Sequence, residues 1–236
     1  MRLIQSSAPR RAAGRAARLD GDRAPVGGTP VLLVHGLGGT PSGWFAIAGA
    51  LRARGTTVAA MSYPALGRTV EQIAETLADE VSRLLDETGA ARVHLVGHSL
   101  GGVVIAQALA AGLLTGQVDT VMTLASPFGG SPWARLVPLA TVRSLRGGSP
   151  LLRRLTAAPM PDGVRWIAVT ATADLVVPGR RSVPGHPRVE SITVNGVGHI
   201  GLLLHPKVVR MVVAALPSTG ASATRVAVSA VGAAAA

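Results

Sequence analysis

The chain contains no cysteine, which excludes disulfides, thiolate nucleophiles and thiolate-ligated metal sites. Aromatic residues are scarce at 3%, although hydrophobic residues make up 48% of the 236 residues. The core must therefore be built from Val, Leu, Ile and Ala, a composition that suits buried parallel strands. A chain of this length accommodates one sizeable α/β domain rather than two.

Acidic residues are also few, with 12 Asp and Glu against 23 Lys and Arg, and the formal net charge is +11. A balance of this kind attracts anionic surfaces such as nucleic acids or membranes. The arginines are scattered and are not interleaved with aromatic residues, so we expect no nucleic-acid partner. The exception is one cluster, which comprises Arg143, Arg146, Arg153 and Arg154.

Long apolar runs are missing as well. The most apolar stretch near the end, residues 201–216, is interrupted by histidine, proline and basic residues, so no transmembrane span is expected. No apolar signal-peptide segment follows the pair Arg10-Arg11, and we expect a cytoplasmic protein. Residues 1–28 predict a disordered basic leader and residues 217–236 a low-complexity tail, which leaves 29–216 as the folded domain.

The folded part alternates between strand and helix patterns. Strands are predicted at 31–35, 56–61, 91–96, 120–125, 165–170 and 191–194, and helices at 41–54, 70–88, 100–112 and 205–216. Such alternation predicts an α/β fold with a minimal, mainly parallel sheet of about six strands and helices on both faces. Residues 127–163 connect two strand ends and are predicted to form a lid or specificity segment, with an ordinary helix that covers the sheet edge as the alternative.

The most specific motif is Gly97-His98-Ser99-Leu100-Gly101, which lies between a predicted strand and a predicted helix. In this setting the G-x-S-x-G pattern holds the serine on a strained, tight turn with its hydroxyl above the sheet. The two glycines leave room where the strand and helix backbones pass close together. Ser99 is therefore the predicted nucleophile.

A serine hydroxyl needs a base to take its proton, and that base needs an orienting acid. In a doubly wound sheet both come from loops at the carboxyl ends of strands. Asp174 follows the strand predicted at 165–170, and His199 lies in a glycine-flanked loop after the strand at 191–194. Other carboxylates that precede their strands belong to the opposite edge, namely Asp119, Asp162 and Glu190.

The oxyanion of an acyl-transfer reaction needs donors that do not have to move. The backbone N–H of Leu100, directly after the nucleophile, is one candidate. Leu37 is the other, in the glycine-rich loop 35–39 after the first strand. An ordinary strand–helix turn is the alternative interpretation of that loop. A phosphate-binding glycine loop is a rival, but the G-x-G-x-x-G spacing and a following Lys-Ser/Thr are both missing.

Over residues 29–216 the chain resembles the α/β-hydrolase superfamily, and within it small bacterial lipases and esterases of the triacylglycerol lipase type. The resemblance rests on His35-Gly36-Leu37-Gly38-Gly39, Gly97-His98-Ser99-Leu100-Gly101-Gly102, Asp174-Leu175-Val176-Val177-Pro178 and Gly198-His199-Ile200-Gly201-Leu202. It implies that Ser99 is the nucleophile, His199 the general base and Asp174 its orienter. It also implies Leu37 and Leu100 as oxyanion donors, and a secreted or envelope-associated location as the alternative to the cytoplasm.

Apolar residues near these loops predict a surface that binds the substrate. The candidates are Trp44, Phe128, Trp133 and Leu202. An apolar lining favours esters with hydrocarbon acyl chains over polar peptides. No cofactor and no metal ion are expected, because the sequence has neither cysteine ligands nor a carboxylate cluster of the calcium-binding type.

These observations predict a serine carboxylic-ester hydrolase, a lipase or esterase that acts through an acyl-enzyme. An acyltransferase or a thioesterase would use the same three residues, and both remain as alternatives. A catalytically silent binding protein that kept the fold is the alternative from another class, because fold does not imply function. The expected partner is a small-molecule or lipid ester, with transient contact with a lipid interface.

Overall fold

A computed structural model describes residues 28–65, 67–137 and 139–217, together with the backbone of Ala16–Ala17. The strands are β1 (Ala16–Ala17), β2 (Val31–Val34), β3 (Val58–Met61), β4 (Val93–His98), β5 (Val118–Leu124), β6 (Arg165–Ala171) and β7 (Val189–Val194). The helices are α1 (Phe45–Arg52), α2 (Val70–Thr88), α3 (Leu100–Ala110), α4 (Ala140–Arg143), α5 (Pro150–Ala157) and α6 (Pro206–Ala215).

The strands form one sheet in the order β1-β3-β2-β4-β5-β6-β7. Strands β2 to β7 pair in parallel, and they are the six strands that the sequence predicts. Strand β1 adds an antiparallel edge of two residues, which falls within the leader predicted to be disordered. Two residues carry no readable alternation, so no strand was expected there. The rest of that leader and the predicted tail beyond residue 217 lie outside the described residues.

Two apolar layers sandwich the sheet, one on each face. Neighbouring residues of a strand point to opposite faces, and Leu32 accordingly packs with α2, α3 and α5, whereas Leu33 packs with α1 and α6. Helix α2 has the predicted bounds, and its first turn is closed by a reciprocal pair of hydrogen bonds between Thr69 and Gln72. Such capping satisfies amide groups that a helix leaves unpaired at its start.

Two predicted segments differ in detail from the structure. The helix expected at 41–54 begins as a 3₁₀ turn at Pro41–Trp44 before α1, and Thr40 bonds Ser42 instead of capping the helix. The irregular segment 127–163 contains a 3₁₀ turn at Pro132–Arg135 and the helices α4 and α5. Helix α5 forms because its N-cap serine and a buried Leu-Leu pair stabilise it locally and against the core.

The order of the strands creates a crevice at one edge of the sheet. From β2 the chain crosses to β3 on one side, and it then enters β4 on the other side of β2. Ligands of open α/β sheets bind outside the carboxyl ends of the strands at such a reversal. The loops that follow β2 and β4 therefore meet where a binding site is expected, and these loops carry Leu37 and Ser99. Among the described helices, none is both long and apolar enough to cross a bilayer.

Candidate active site

Ser99 occupies a strained turn between β4 and α3. Its backbone has a φ of 51° and a ψ of −120°, a conformation that non-glycine residues adopt at an energetic cost and mostly at functional sites. The Ser99 amide donates to the Leu124 carbonyl over 2.9 Å, and the Gly102 amide donates to the Ser99 carbonyl over 3.1 Å. Neighbouring strand and helix together hold the serine in this conformation.

Glycines surround the turn because the backbone leaves no space for side chains. A Cβ atom on Gly97 would lie 2.6 Å from the Gly102 nitrogen, and one on Gly101 would lie 2.1 Å from the Val34 oxygen. The expected close approach at Gly97 and Gly101 is thus confirmed, although Gly101 packs on β2 rather than β4. Gly102 is equally confined, since its Cβ would lie 2.0 Å from Ser126 Oγ.

Asp174 and His199 are joined by a hydrogen bond of 2.7 Å between Nδ1 of the imidazole and Oδ2 of the carboxylate. The other carboxylate oxygen, Oδ1, accepts the backbone amides of Val176 and Val177 at 2.8 Å each. The Asp174 side chain is fully buried. Its orientation is therefore fixed from both sides, and it in turn fixes the imidazole ring of His199.

His98 connects Ser99 to the loop of His199. Its Nε2 lies 3.1 Å from the His199 carbonyl oxygen, and the centroids of the two rings are 4.7 Å apart. This contact brings His199 next to the residue that immediately precedes Ser99. Ser99 Oγ itself forms no hydrogen bond within the described ranges of the chain. Catalytic hydrogen bonds of this type commonly tighten only when substrate binds.

The loop after β2 lies directly against the serine. A Cβ atom on Gly36 would be 2.9 Å from Ser99 Cβ, so the adjacent Leu37 is held beside the turn. Leu100 is the first residue of α3, where helix amides have no intrahelical partner. In the described part of the chain, neither the Leu37 nor the Leu100 amide donates to another protein group. Neither of these two amides is therefore committed to another group of the described chain.

Residues 31–211 match the sequence model of the Alpha/beta hydrolase family. The chain belongs to this family. Among curated proteins, the chain is similar to the dihydrolipoyllysine-residue acetyltransferase component of the acetoin cleaving system from Pseudomonas putida. The two sequences are 38% identical over 104 residues, and the match covers 42% of this chain and 27% of that protein. The chain spans about a quarter of the length of such relatives.

Solved structures with the same fold include lipases. A mature Bacillus licheniformis lipase superposes with a TM-score of 0.68 at 18% identity, and the match covers 78% of this chain and 90% of that one. Aspergillus fumigatus lipase B gives a TM-score of 0.70 at 19% identity, with 86% of this chain and 55% of that one covered. At sequence identities of 18% and 19%, this structural similarity shows that the chain shares the fold of these two lipases.

The electrostatics of the alpha/beta hydrolase keep Asp174 charged and His98 neutral. Burial acts to raise the pKa of Asp174, but the hydrogen bonds from His199, Val177 and Val176 outweigh it, and the pKa lies below its ordinary value. Burial, aided by the nearby His199, lowers the pKa of His98 to about 4. A neutral His98 carries one ring N–H, and its contact with the His199 carbonyl requires that proton on Nε2.

A tyrosine supports the loop that carries Leu37. The Tyr63 ring stacks on His35 with centroids 4.3 Å apart, and its hydroxyl donates to the His35 carbonyl over 2.5 Å. Burial raises the pKa of Tyr63, so the hydroxyl keeps its proton. His35 Nδ1 donates to the Gly36 carbonyl over 2.8 Å. These contacts hold the loop between β2 and the 3₁₀ turn in place.

Of the four residues predicted to bind substrate, three are buried in the core and one is exposed. Trp44 and Leu202 are completely buried in the layer formed with α1 and α6, so they belong to the core and not to an open cleft. Phe128 packs edge-to-face on Trp166 of β6 and is buried in the layer formed with α2, α3 and α5. Only Trp133 is exposed, and its Nε1 donates to the Leu175 carbonyl beside Asp174 over 2.9 Å.

Two supporting residues, His98 and Tyr63, were not predicted from sequence. The position of His98 directly before Ser99 was the available signal for its contact with His199. Tyr63 carries no such signal, because 28 residues separate it from His35. No group of three or more His, Cys, Asp or Glu residues that suits a metal ion occurs among the described residues.

Proposed function

We propose that this alpha/beta hydrolase is a serine carboxylic-ester hydrolase that acts through an acyl-enzyme on esters with apolar acyl chains. The observation that carries the proposal is the 2.7 Å Asp174–His199 hydrogen bond, which lies against the strained turn of Ser99. A base oriented by a buried carboxylate beside a half-buried serine is the arrangement that activates a serine nucleophile.

In the proposed reaction, Ser99 Oγ attacks the ester carbonyl carbon while His199 Nε2 takes the hydroxyl proton. The amides of Leu37 and Leu100 stabilise the negative charge that develops on the carbonyl oxygen. The intermediate collapses, the C–O bond to the alcohol breaks, and His199 returns the proton to the leaving alcohol. A water molecule then attacks the acyl-enzyme with the same base, releasing the carboxylic acid and restoring Ser99.

The first experiment is hydrolysis of p-nitrophenyl esters from acetate to palmitate by the wild type, Ser99→Ala and Ser191→Ala. Ser191 is an exposed serine on β7 and serves as the matched control. Loss of the nucleophile is expected to lower kcat by about 10⁶-fold, whereas the control keeps its activity. Turnover retained by Ser99→Ala would remove Ser99 from the mechanism. A fluorophosphonate probe that fails to label Ser99 would favour the catalytically silent binding protein.

Acyl transfer to an alcohol, amine or thiol is the second candidate. The observation that favours it is the similarity to an acetyltransferase component, which is 38% identical over 104 residues. The two activities share every step up to the acyl-enzyme and differ in the acceptor. Product analysis with an added alcohol or thiol separates them, since a transferase forms the new ester or thioester faster than the free acid. A thioesterase is tested in parallel with acyl thioester substrates.

The proposed substrate partner is a lipid or small-molecule ester met at a lipid interface. Exposed apolar side chains extend from the loops after β2, β5, β6 and β7, namely Leu37, Trp133, Leu136, Leu175, Ile200 and Leu204. Exposed apolar groups concentrated on one face commonly mark an interaction surface. Sedimentation with lipid vesicles tests this contact, and Leu175→Asp is expected to weaken it while Leu113→Asp, exposed beyond α3, leaves it unchanged.

A further inference from the structure

A large pocket lies beside the loop that holds Asp174. Its volume is about 440 Å³, and it is lined by Gly129, Ser131, Pro132, Arg135, Gly147, Gly148 and Arg181. Arg135 and Arg181 are the only charged residues of this lining, and neither forms an ion pair within the described part of the chain. Two guanidinium groups without a carboxylate partner favour an anionic ligand in this pocket.

The pocket is attached to the candidate active site by hydrogen bonds. Ser131 Oγ in its wall donates to the Val176 carbonyl over 2.6 Å, and the Val176 amide donates to Asp174 over 2.8 Å. The Gly129 amide on the opposite side donates to the Arg181 carbonyl over 2.8 Å. The loop between β6 and β7 therefore carries both Asp174 and Arg181 of the pocket lining. This loop lies at the carboxyl ends of the strands, as Ser99 does.

Three arginines of the cluster seen in the sequence bind protein groups near this pocket, and none of the four lines it. Arg146 Nε donates to the Ala134 carbonyl over 2.9 Å, and Arg153 Nη1 donates to the Gly148 carbonyl. Arg154 is neutralised by Glu71 at 2.8 Å. The cations that line the pocket, and that a ligand in it would meet, are Arg135 and Arg181.

Glycine amides add further donors. The N–H groups of Gly147 and Gly148 donate to no acceptor in the ranges that the structure describes, and a Cβ atom on Gly148 would meet nothing within 4 Å. Backbone amides that converge in a turn form anion-binding concavities. Arginine guanidinium groups bind phosphate with paired, charge-assisted hydrogen bonds. The pocket thus offers backbone amides and guanidinium groups, and phosphate oxygens accept hydrogen bonds from both.

We propose that this pocket binds a phosphate group carried by the ester substrate, which makes phosphate-bearing esters the preferred substrate class. This inference rests on the proposed ester hydrolysis at Ser99. The phosphate of such a molecule occupies the pocket while its ester group lies at the strained turn. Neutral esters of the same acyl chain lack this contact and are poorer substrates.

The kinetic test compares a 1-acylglycerol 3-phosphate with the 1-acylglycerol of the same acyl chain. The variants are Arg181→Gln and Arg135→Gln, and the matched control is Arg180→Gln, an exposed neighbour that does not line the pocket. The ratio of kcat/KM for the phosphate ester to that for the neutral ester is expected to fall about tenfold with each lining arginine removed, because a charge-assisted hydrogen bond to the phosphate is lost. The control ratio stays constant.

A binding test is independent of turnover. Calorimetric titration of glycerol 3-phosphate and of inorganic phosphate into Ser99→Ala is expected to show binding that Arg181→Gln abolishes. Equal losses on both esters in the lining variants, or the same loss with Arg180→Gln, would overturn the proposal. Binding of inorganic phosphate without any preference for the phosphate ester would overturn the substrate assignment. If no ester is hydrolysed, the proposed function fails, whereas the calorimetry still decides the pocket.

Discussion

His98 and His199 are linked by a hydrogen bond from a ring nitrogen to a backbone oxygen, with Nε2 of His98 lying 3.1 Å from the His199 carbonyl. His98 is the last residue of β4, and His199 lies in the loop after β7. Strands β5 and β6 separate these two strands in the sheet. One side chain therefore ties the loop of the proposed base to the strand that ends at the proposed nucleophile.

Replacing His98 is expected to misplace the proposed base. His98→Phe keeps a ring but loses the donor, and kcat on p-nitrophenyl esters should fall roughly 10- to 100-fold with little change in KM, because displacements of about 1 Å cost this much in rate. His98→Gln restores an N–H donor and should recover part of kcat. Steady-state kinetics and melting temperatures separate positioning from stability. Equal kcat values in the two variants would show that the hydrogen bond is irrelevant.

The pH dependence of stability follows from the buried state of His98. Its pKa is lowered from 6.5 to about 4 in the folded protein. In the unfolded chain, His98 is protonated as the pH falls through 6.5. In the folded protein, His98 stays neutral until the pH reaches about 4. The free energy of unfolding should therefore decline between these values, by about 3 kcal/mol at most for this group. Urea titrations at several pH values should show a smaller decline in His98→Gln, and identical profiles would contradict the expectation.

Asp174→Asn is expected to lower kcat by about 10⁴-fold, because the amide no longer holds the imidazole in the required tautomer. The same change costs stability at neutral pH. Since the folded pKa of Asp174 lies below its ordinary value of 3.8, its contribution is present above that value and is lost as the pH falls through the folded pKa. Unfolding at pH 7 and pH 3 measures this, and a stability difference from the wild type that stayed constant with pH would refute the assignment.

A pair of glycine variants tests the confinement of the turn. Gly101→Ala places a Cβ 2.1 Å from the Val34 oxygen, and the protein should lose its activity together with several kcal/mol of stability. Gly49 is exposed within α1 and a Cβ there meets nothing within 4 Å. Gly49→Ala should keep full activity and gain about 0.5–1 kcal/mol. Melting curves and ester hydrolysis check both, and a stable, active Gly101→Ala would disprove the close contact.

Local patterns were sufficient to predict the architecture. Each parallel strand is a short apolar run, and α2 has an apolar face together with a capping threonine, so its bounds at Val70–Thr88 were readable from the sequence. The turn at Ser99 was readable because Gly97 and Gly101 are needed wherever backbones approach this closely. The edge strand β1 was missed because two residues contain no periodicity.

The six parallel strands and the glycine-flanked turn follow from the amino-acid pattern alone, because apolar runs and glycines reflect local backbone geometry. Which apolar side chains stay in the core, as with Trp44 and Leu202, depends on packing between distant elements, since composition does not say which face another element will cover. Packing likewise decided that Arg146 and Arg153 bind main-chain carbonyls while Arg135 and Arg181 face a pocket. These roles depend on groups that only folding brings together.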